Sequence, residues 1–191
     1  MNAKVLKLLI RSRSIEYAKK HSLSYTEFKT AIVFENIKDN FLPSSYDRII
    51  NKKEWVECLN KRHSQVPNAK EMQSSNSSDA LLMNIFCHPK INSWKGIRKL
   101  FGASEINPEF GTKPELCLKS GHGDRTEIDL AFENIIIEAK LTETDFTQKS
   151  VSAVKNYTDV EKIFHFNHLP NDGQKFFHYQ IIRNILASVQ F

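Results

Sequence analysis

The stretch EIDLAFENIIIEAK at residues 127–140 constrains this chain more than any other. Ile128, Leu130 and Phe132 alternate with polar or small residues, a period of two that makes one face of a strand apolar. Ile135, Ile136 and Ile137 follow, and Glu133-Asn134 between the two runs suits a tight turn. A hairpin centred on that turn sets Asp129 opposite Glu138 and Glu127 opposite Lys140. The other face, with Ile128, Leu130, Phe132, Ile135, Ile137 and Ala139, is destined for a core.

Cross-strand partners carry Cβ atoms about 4.5–5.5 Å apart, so this register gathers two carboxylates and an ammonium. Opposed like charges repel, and a hairpin that places them together requires compensation. A divalent cation such as Mg²⁺, which prefers hard carboxylate oxygens with water and substrate phosphate, would turn the repulsion into a ligand set. Proton sharing is the alternative without metal. A plainer alternative is a solvated hairpin on which Lys140 neutralises its neighbours, and a register slip of one residue would separate the group.

Around this hairpin the sequence divides into two textures. Residues 1–63 carry apolar positions at helical spacing, including Val5, Leu8 and Leu9 and then Ile49, Ile50, Trp55, Val56 and Leu59, with Pro43 separating an earlier from a later part. Residues 64–78 are polar and hold the run QSSNSS, which reads as a connection. The division expected is a helical extension with linker over 1–75 and a core over 76–191. Ser78 or Asp79 can cap a helix through Leu81, Leu82, Ile85 and Phe86, ended by Pro89. A short basic helix with Lys95, Arg98 and Lys99 precedes a stop at Gly102. Strands occupy residues 114–140, and helices are expected over about 145–164 and about 174–190.

The balance of 40% hydrophobic and 26% charged residues is that of a globular protein, without disorder or collagen-like repetition. Lys and Arg outnumber Asp and Glu by 27 to 22, a charge of +5 that admits a polyanionic partner without requiring one. The three cysteines, Cys58, Cys87 and Cys117, make neither a disulfide framework nor a CxxC zinc site. Cys87 beside His88 reads as a buried thiol next to an ordinary histidine. No apolar run is long enough to span a bilayer, and Lys7 interrupts the apolar start, so no membrane partner and a cytoplasmic location are expected.

Asp129 within Glu127-Ile128-Asp129-Leu130, followed by Glu138-Ala139-Lys140 after the isoleucines, resembles the PD-(D/E)XK nuclease superfamily, the restriction-endonuclease-like fold. Three letters of ExK recur by chance. The ordered set of helix, strand, acidic strand, apolar-ExK strand and helix is more specific and covers about residues 78–190. Ile128 stands where many members carry proline. The fold implied is α/β, a mixed sheet flanked by helices, here with a helical N-terminal extension.

What the resemblance implies is Mg²⁺-dependent hydrolysis of phosphodiester bonds, in DNA more than RNA, with Mn²⁺ a substitute. Asp129 and Glu138 would hold the metal and Lys140 would serve the reaction centre. Some branches orient the site with a glutamine from a later helix, which nominates Gln180. Phe177, Ile181, Ile185 and Val189 recur at helical spacing and leave Gln180, Arg183 and Asn184 on the other side. Lys95, Arg98, Lys99, Lys119 and Arg125 are the expected nucleic-acid contacts. An acid from a helix before the sheet is also implied, and Asp79, Glu105 and Glu109 compete for it. A homodimer is compatible with this class. The alternatives are an RNA-directed or structure-specific nuclease and a non-catalytic nucleic-acid-binding module on the same fold.

Overall fold

In a computed structural model, residues 2–125, 127–143 and 146–189 are described. The chain forms two compact units, Met1–Pro108 and Glu109–Phe191. Among the described residues, no helix is long and apolar enough to cross a membrane.

The first unit opens with helix α1 (Ala3–Lys20), capped where the Asn2 side chain accepts from Val5 N at 2.9 Å. Lys19 and Lys20 lie in its last turn, where cations oppose the helix dipole favourably. Helix does not continue as expected. Strands β1 (Tyr25–Phe28) and β2 (Ala31–Phe34) form an antiparallel hairpin, turning at Lys29 with φ 49°. The run Ala31-Ile32-Val33-Phe34 is buried throughout, so its β-branched and aromatic side chains show no alternation that would mark it as a strand. Helices α2 (Pro43–Ile50) and α3 (Lys53–Leu59) follow, and Pro43 starts α2, since the first helical position needs no N–H bond.

The polar residues 64–78 are not a loose connection but part of this unit. Asn40 Nδ2 donates to the carbonyls of Met72 and Ser74, each at 2.9 Å, and Gln73 Nε2 donates to those of Phe34 and Glu35. Ser75 Oγ accepts from Ile32 N, while Met72 is buried. Polar composition here reflects side chains that satisfy backbone groups rather than a chain left in water. Asn40→Ala is therefore expected to lower unfolding stability by about 1–3 kcal/mol, because two carbonyls lose their donor. Chemical denaturation of the two proteins checks this, and unchanged stability would contradict the packing.

Helices α4 (Ser78–Phe86) and α5 (Lys95–Phe101) complete the unit, which thus extends beyond the expected division at residue 75. Ser77, not Ser78 or Asp79, caps α4 by accepting from Ala80 N, and Gly102 at φ 65° ends α5 as expected. Cys87 is fully buried, and that burial pushes its thiol up to about 12. His88 accepts from Lys90 N and stacks on Trp94.

The second unit is built on β3 (Glu109–Thr112), β6 (Ile128–Phe132) and β7 (Ile135–Ile137), a three-stranded sheet in the order β3-β6-β7. Two-stranded pairs join β4 (Leu116–Cys117) to β5 (Gly123–Asp124) and β8 (Lys149–Ser150) to β9 (Lys175–Phe176). Every strand pairing among the described residues is antiparallel, so the expected mixed sheet is not what forms. The architecture is mixed α/β with small antiparallel sheets.

The helix expected over 145–164 is broken into α6 (Val151–Lys155) and α7 (Val160–Ile163). The cause is a competing set of backbone bonds. Lys119 N donates to Asn156 O at 2.7 Å, Thr158 N donates to Cys117 O at 3.1 Å, and Leu118 bridges to Tyr157. Residues 156–158 therefore pair with the chain after β4 instead of continuing a helix. The expected start of that helix at Asp145 lies outside the described residues.

Helix α8 (Tyr179–Val189) closes the unit, beginning later than expected; Gln190 lies outside the described residues. Its buried positions are Ile182, Arg183, Asn184, Leu186 and Ala187, and the first, fourth and fifth join Leu116, Ile128, Val154, Tyr157, Val160 and Phe176 in the core. Ile181, Ile185 and Val189 are 39, 40 and 63% exposed. The apolar spacing thus misidentifies the inner face of α8, because Arg183 and Asn184 are held inside by polar partners.

Candidate active site

Strands β6 and β7 pair through Leu130–Ile137, Ala131–Ile136 and Phe132–Ile135, turning at Glu133 with φ 48°. This is the register that sets Asp129 opposite Glu138. Along β6, Ile128, Leu130 and Phe132 are buried while Asp129 and Ala131 are half-buried, the alternation read from the sequence. The paired ladder ends at Ile137, however. In its place Ala139 N donates to Asp129 Oδ2 at 2.8 Å, so the aspartate carboxylate holds the chain between Glu138 and Lys140. The expected opposition of Glu127 and Lys140 falls beyond the paired segment, and Glu127 lies 3.7 Å from Lys113.

Glu138 is well enclosed, its side chain 7% exposed against 20% for Lys140. Lys140 Nζ donates to Glu138 Oε1 at 2.9 Å, and two residues of α8 reach the same carboxylate. Gln180 Nε2 donates to Oε1 at 2.6 Å and Asn184 Nδ2 to Oε2 at 3.0 Å. Gln180 Oε1 in turn accepts from Thr147 Oγ1 at 3.1 Å. Three donors on a group with about four acceptor positions hold the anion while leaving it capacity for a further ligand. Gln180 and Lys140 therefore both lie against Glu138, and Asp129 is bonded to the backbone amide of the residue that follows it.

The start of α8 is fixed independently. Tyr179 N and Gln180 N donate to the carbonyls of Thr147 and Phe146 at 2.9 and 3.1 Å, satisfying donors that a helix end leaves open. Tyr157 donates its hydroxyl to the Asp124 carboxylate and meets the Tyr179 hydroxyl, which reaches the same carboxylate at 3.3 Å. Burial raises the pKa of both phenols above the ordinary value, with the Asp124 carboxylate adding to the effect, so both stay protonated as donors. Gly111, at φ 64°, lies between the pairs Phe110–Leu130 and Thr112–Ile128 on β3, where a Cβ would meet the Glu127 side chain at 3.6 Å.

Asp129 and Glu138 offer two hard oxygen ligands, and Mg²⁺ is typically held by one or two carboxylates, with water and substrate phosphate completing its shell. The donor set fits that ion. Among the described residues no group of three or more His, Cys, Asp or Glu side chains is gathered as a self-sufficient metal cage. Of the candidates for a further acid, Asp79 lies in α4 and pairs with Lys61 at 2.7 Å, and Glu105 is exposed after α5. Glu109 lies on β3 rather than a helix, opposite Ala131 and hence on the Asp129 face of the sheet.

The expected nucleic-acid contacts are distributed over both units. Lys95 and Lys99 are exposed on α5, whereas Arg98 donates to Ser104 O at 3.1 Å. In the second unit Lys119 lies 3.9 Å from Glu161, and Arg125 donates twice to Glu115, at 3.2 and 2.8 Å. Such exposed pairs contribute little to stability.

Asn184, Arg183, Tyr157 and Asp124 were not nominated for the site by sequence. The four-residue spacing of Gln180 and Asn184, which puts both on one helix face, is the signal that finds Asn184. A family model described as Restriction Endonuclease associating with ARP matches residues 11–191. No curated protein and no solved structure matches the chain.

Proposed function

Because this chain belongs to the family described as Restriction Endonuclease associating with ARP, we propose that it is a metal-dependent endonuclease of the PD-(D/E)XK type that hydrolyses phosphodiester bonds in DNA. The family supports a nuclease-like role; metal, substrate and residues are our reading. One observation carries it: the Asp129 carboxylate grips the Ala139 amide while Lys140 donates to Glu138, which joins the acid of β6 to the ExK segment that follows β7. The association with ARP named for the family enters the proposal as the setting in which such a nuclease acts.

Asp129 and Glu138 would hold the cation. When bound, a divalent cation supplies Lewis acidity toward a phosphoryl oxygen and lowers the pKa of bound water. Lys140, its side chain one-fifth exposed and its ammonium beside Glu138, orients the attacking water and offers donors to the charge that grows on the phosphoryl oxygens. Gln180 and Asn184 keep Glu138 in one rotamer, so its oxygens are aimed before substrate arrives. Lys95, Lys99, Lys119 and Arg125 bind phosphates and so provide affinity without reading sequence.

Thermal unfolding with and without Mg²⁺ or Mn²⁺ tests the metal assignment. A ligand bound only by the folded chain stabilises it by roughly 2.7 kcal/mol at a hundredfold excess over Kd. The parent is expected to gain this stabilisation and Asp129→Asn to lose most of it. Equal gains in both proteins would remove Asp129 from the ligand set. Cleavage of matched DNA and RNA substrates distinguishes the polymer: faster DNA cleavage is expected, and cleavage of RNA alone would overturn that part of the reading.

A further inference from the structure

We propose that Arg183 is a positioning residue for Glu138 and acts through Asn184, an inference that rests on the reading of Glu138 as a metal-site carboxylate. Arg183 is 2% exposed. Burying a guanidinium is costly unless it is paired or hydrogen-bonded. Among the described residues no carboxylate lies within ion-pair distance of it. Its acceptors are neutral: Asn184 Oδ1, reached by Nε at 3.3 Å and Nη2 at 2.9 Å, and the carbonyl of Glu127, reached by Nη2 at 2.9 Å.

The chemistry of the donors fixes what Asn184 does. A guanidinium has no acceptor, so only the amide oxygen of Asn184 can face it. The amide nitrogen must then point away, and there Nδ2 meets Glu138 Oε2 at 3.0 Å. Glu138, an acceptor when ionised, requires the same orientation from its side. The amide dipole thus lies between a buried cation and a buried anion and links them without their touching. Arg183 also grips the Glu127 carbonyl immediately before β6, so one side chain ties together the strand that bears Asp129 and the amide that holds Glu138.

This differs from the role of Gln180, whose oxygen meets a threonine hydroxyl that can donate or accept. Arg183 leaves Asn184 one orientation only. Outer partners of metal ligands typically change metal affinity by about 10–100-fold when removed.

Arg183→Met tests this directly, because methionine fills much of the same buried space while it removes every guanidinium donor to Asn184 and to the Glu127 carbonyl. Mn²⁺ binding by calorimetry is expected to weaken about 10–100-fold in Arg183→Met and in Asn184→Leu, with Arg183→Lys recovering part of the loss. Leu186→Ala, which disturbs the packing of α8 but not these hydrogen bonds, keeps the parental affinity. In ¹⁵N-labelled protein the Asn184 side-chain protons exchange slowly with solvent, and Arg183→Met releases them. Fast exchange in the parent, or an Arg183→Met protein with parental exchange and parental Mn²⁺ affinity, overturns the inference. If the parent binds no Mn²⁺ yet its Asn184 protons are protected and then released by Arg183→Met, the link through Asn184 stands and the metal reading falls.

Discussion

Lys140→Ala is expected to cut DNA at least about a hundredfold more slowly than the parent in single-turnover assays, with DNA affinity nearly unchanged. Positioned charge of this kind is worth roughly 2.7–4 kcal/mol in the barrier, because its donors face charge that develops only as the phosphate is attacked. Lys140 is held beside Glu138 at 2.9 Å and is tied to the reacting group rather than to the duplex at large. Neutralising Lys95, Arg98 and Lys99 together should do the reverse. Binding weakens and its logarithmic salt slope flattens by about 0.9 for each phosphate that is no longer neutralised, while the rate on saturated substrate stays near parental. A Lys140→Ala protein that cuts at the parental rate would refute the assignment of Lys140.

Glu138→Ala should lower stability in metal-free buffer by about 2–4 kcal/mol, in addition to abolishing cleavage. Removing a charge from an active site often relieves repulsion and stabilises the fold. Here the carboxylate is 7% exposed and accepts from Lys140, Gln180 and Asn184, so its loss strands three donors at once. Partial exposure of Lys140 tempers the cost. Equilibrium denaturation in chelator measures it. A variant as stable as the parent would mean that these three donors do not depend on Glu138.

The β6–β7 hairpin was legible because its signal is local: alternation along Ile128, Leu130 and Phe132, a turn at Glu133-Asn134, and apolar residues continuing through Ile137. Gln180 was reachable only through resemblance, since nothing in its neighbourhood announces a partner 42 positions away. The buried face of α8 was illegible for a related reason. Hydropathy ranks Ile181 and Ile185 above Arg183 and Asn184, yet the polar pair is inside because Glu138 and the Glu127 carbonyl compensate its burial. Tertiary hydrogen bonding also decided the polar residues 64–78 and the break at 156–158. Composition describes what such residues prefer alone, and distant backbone groups change that preference. The β6–β7 pair is antiparallel as its tight turn requires, whereas the mixed character expected of the sheet is not met among the described residues, because the direction of the other strands follows from connections that a short motif does not encode.

Cleavage of a labelled DNA duplex, by the parent and by Glu138→Gln prepared in parallel, each in Mg²⁺ and in chelator, tests the central claim most directly. Glutamine keeps the shape of the side chain and removes the anionic ligand. The account predicts broken phosphodiester bonds in one condition only, the parent with Mg²⁺. Cleavage by the parent in chelator, or equal cleavage by Glu138→Gln in Mg²⁺, would contradict it.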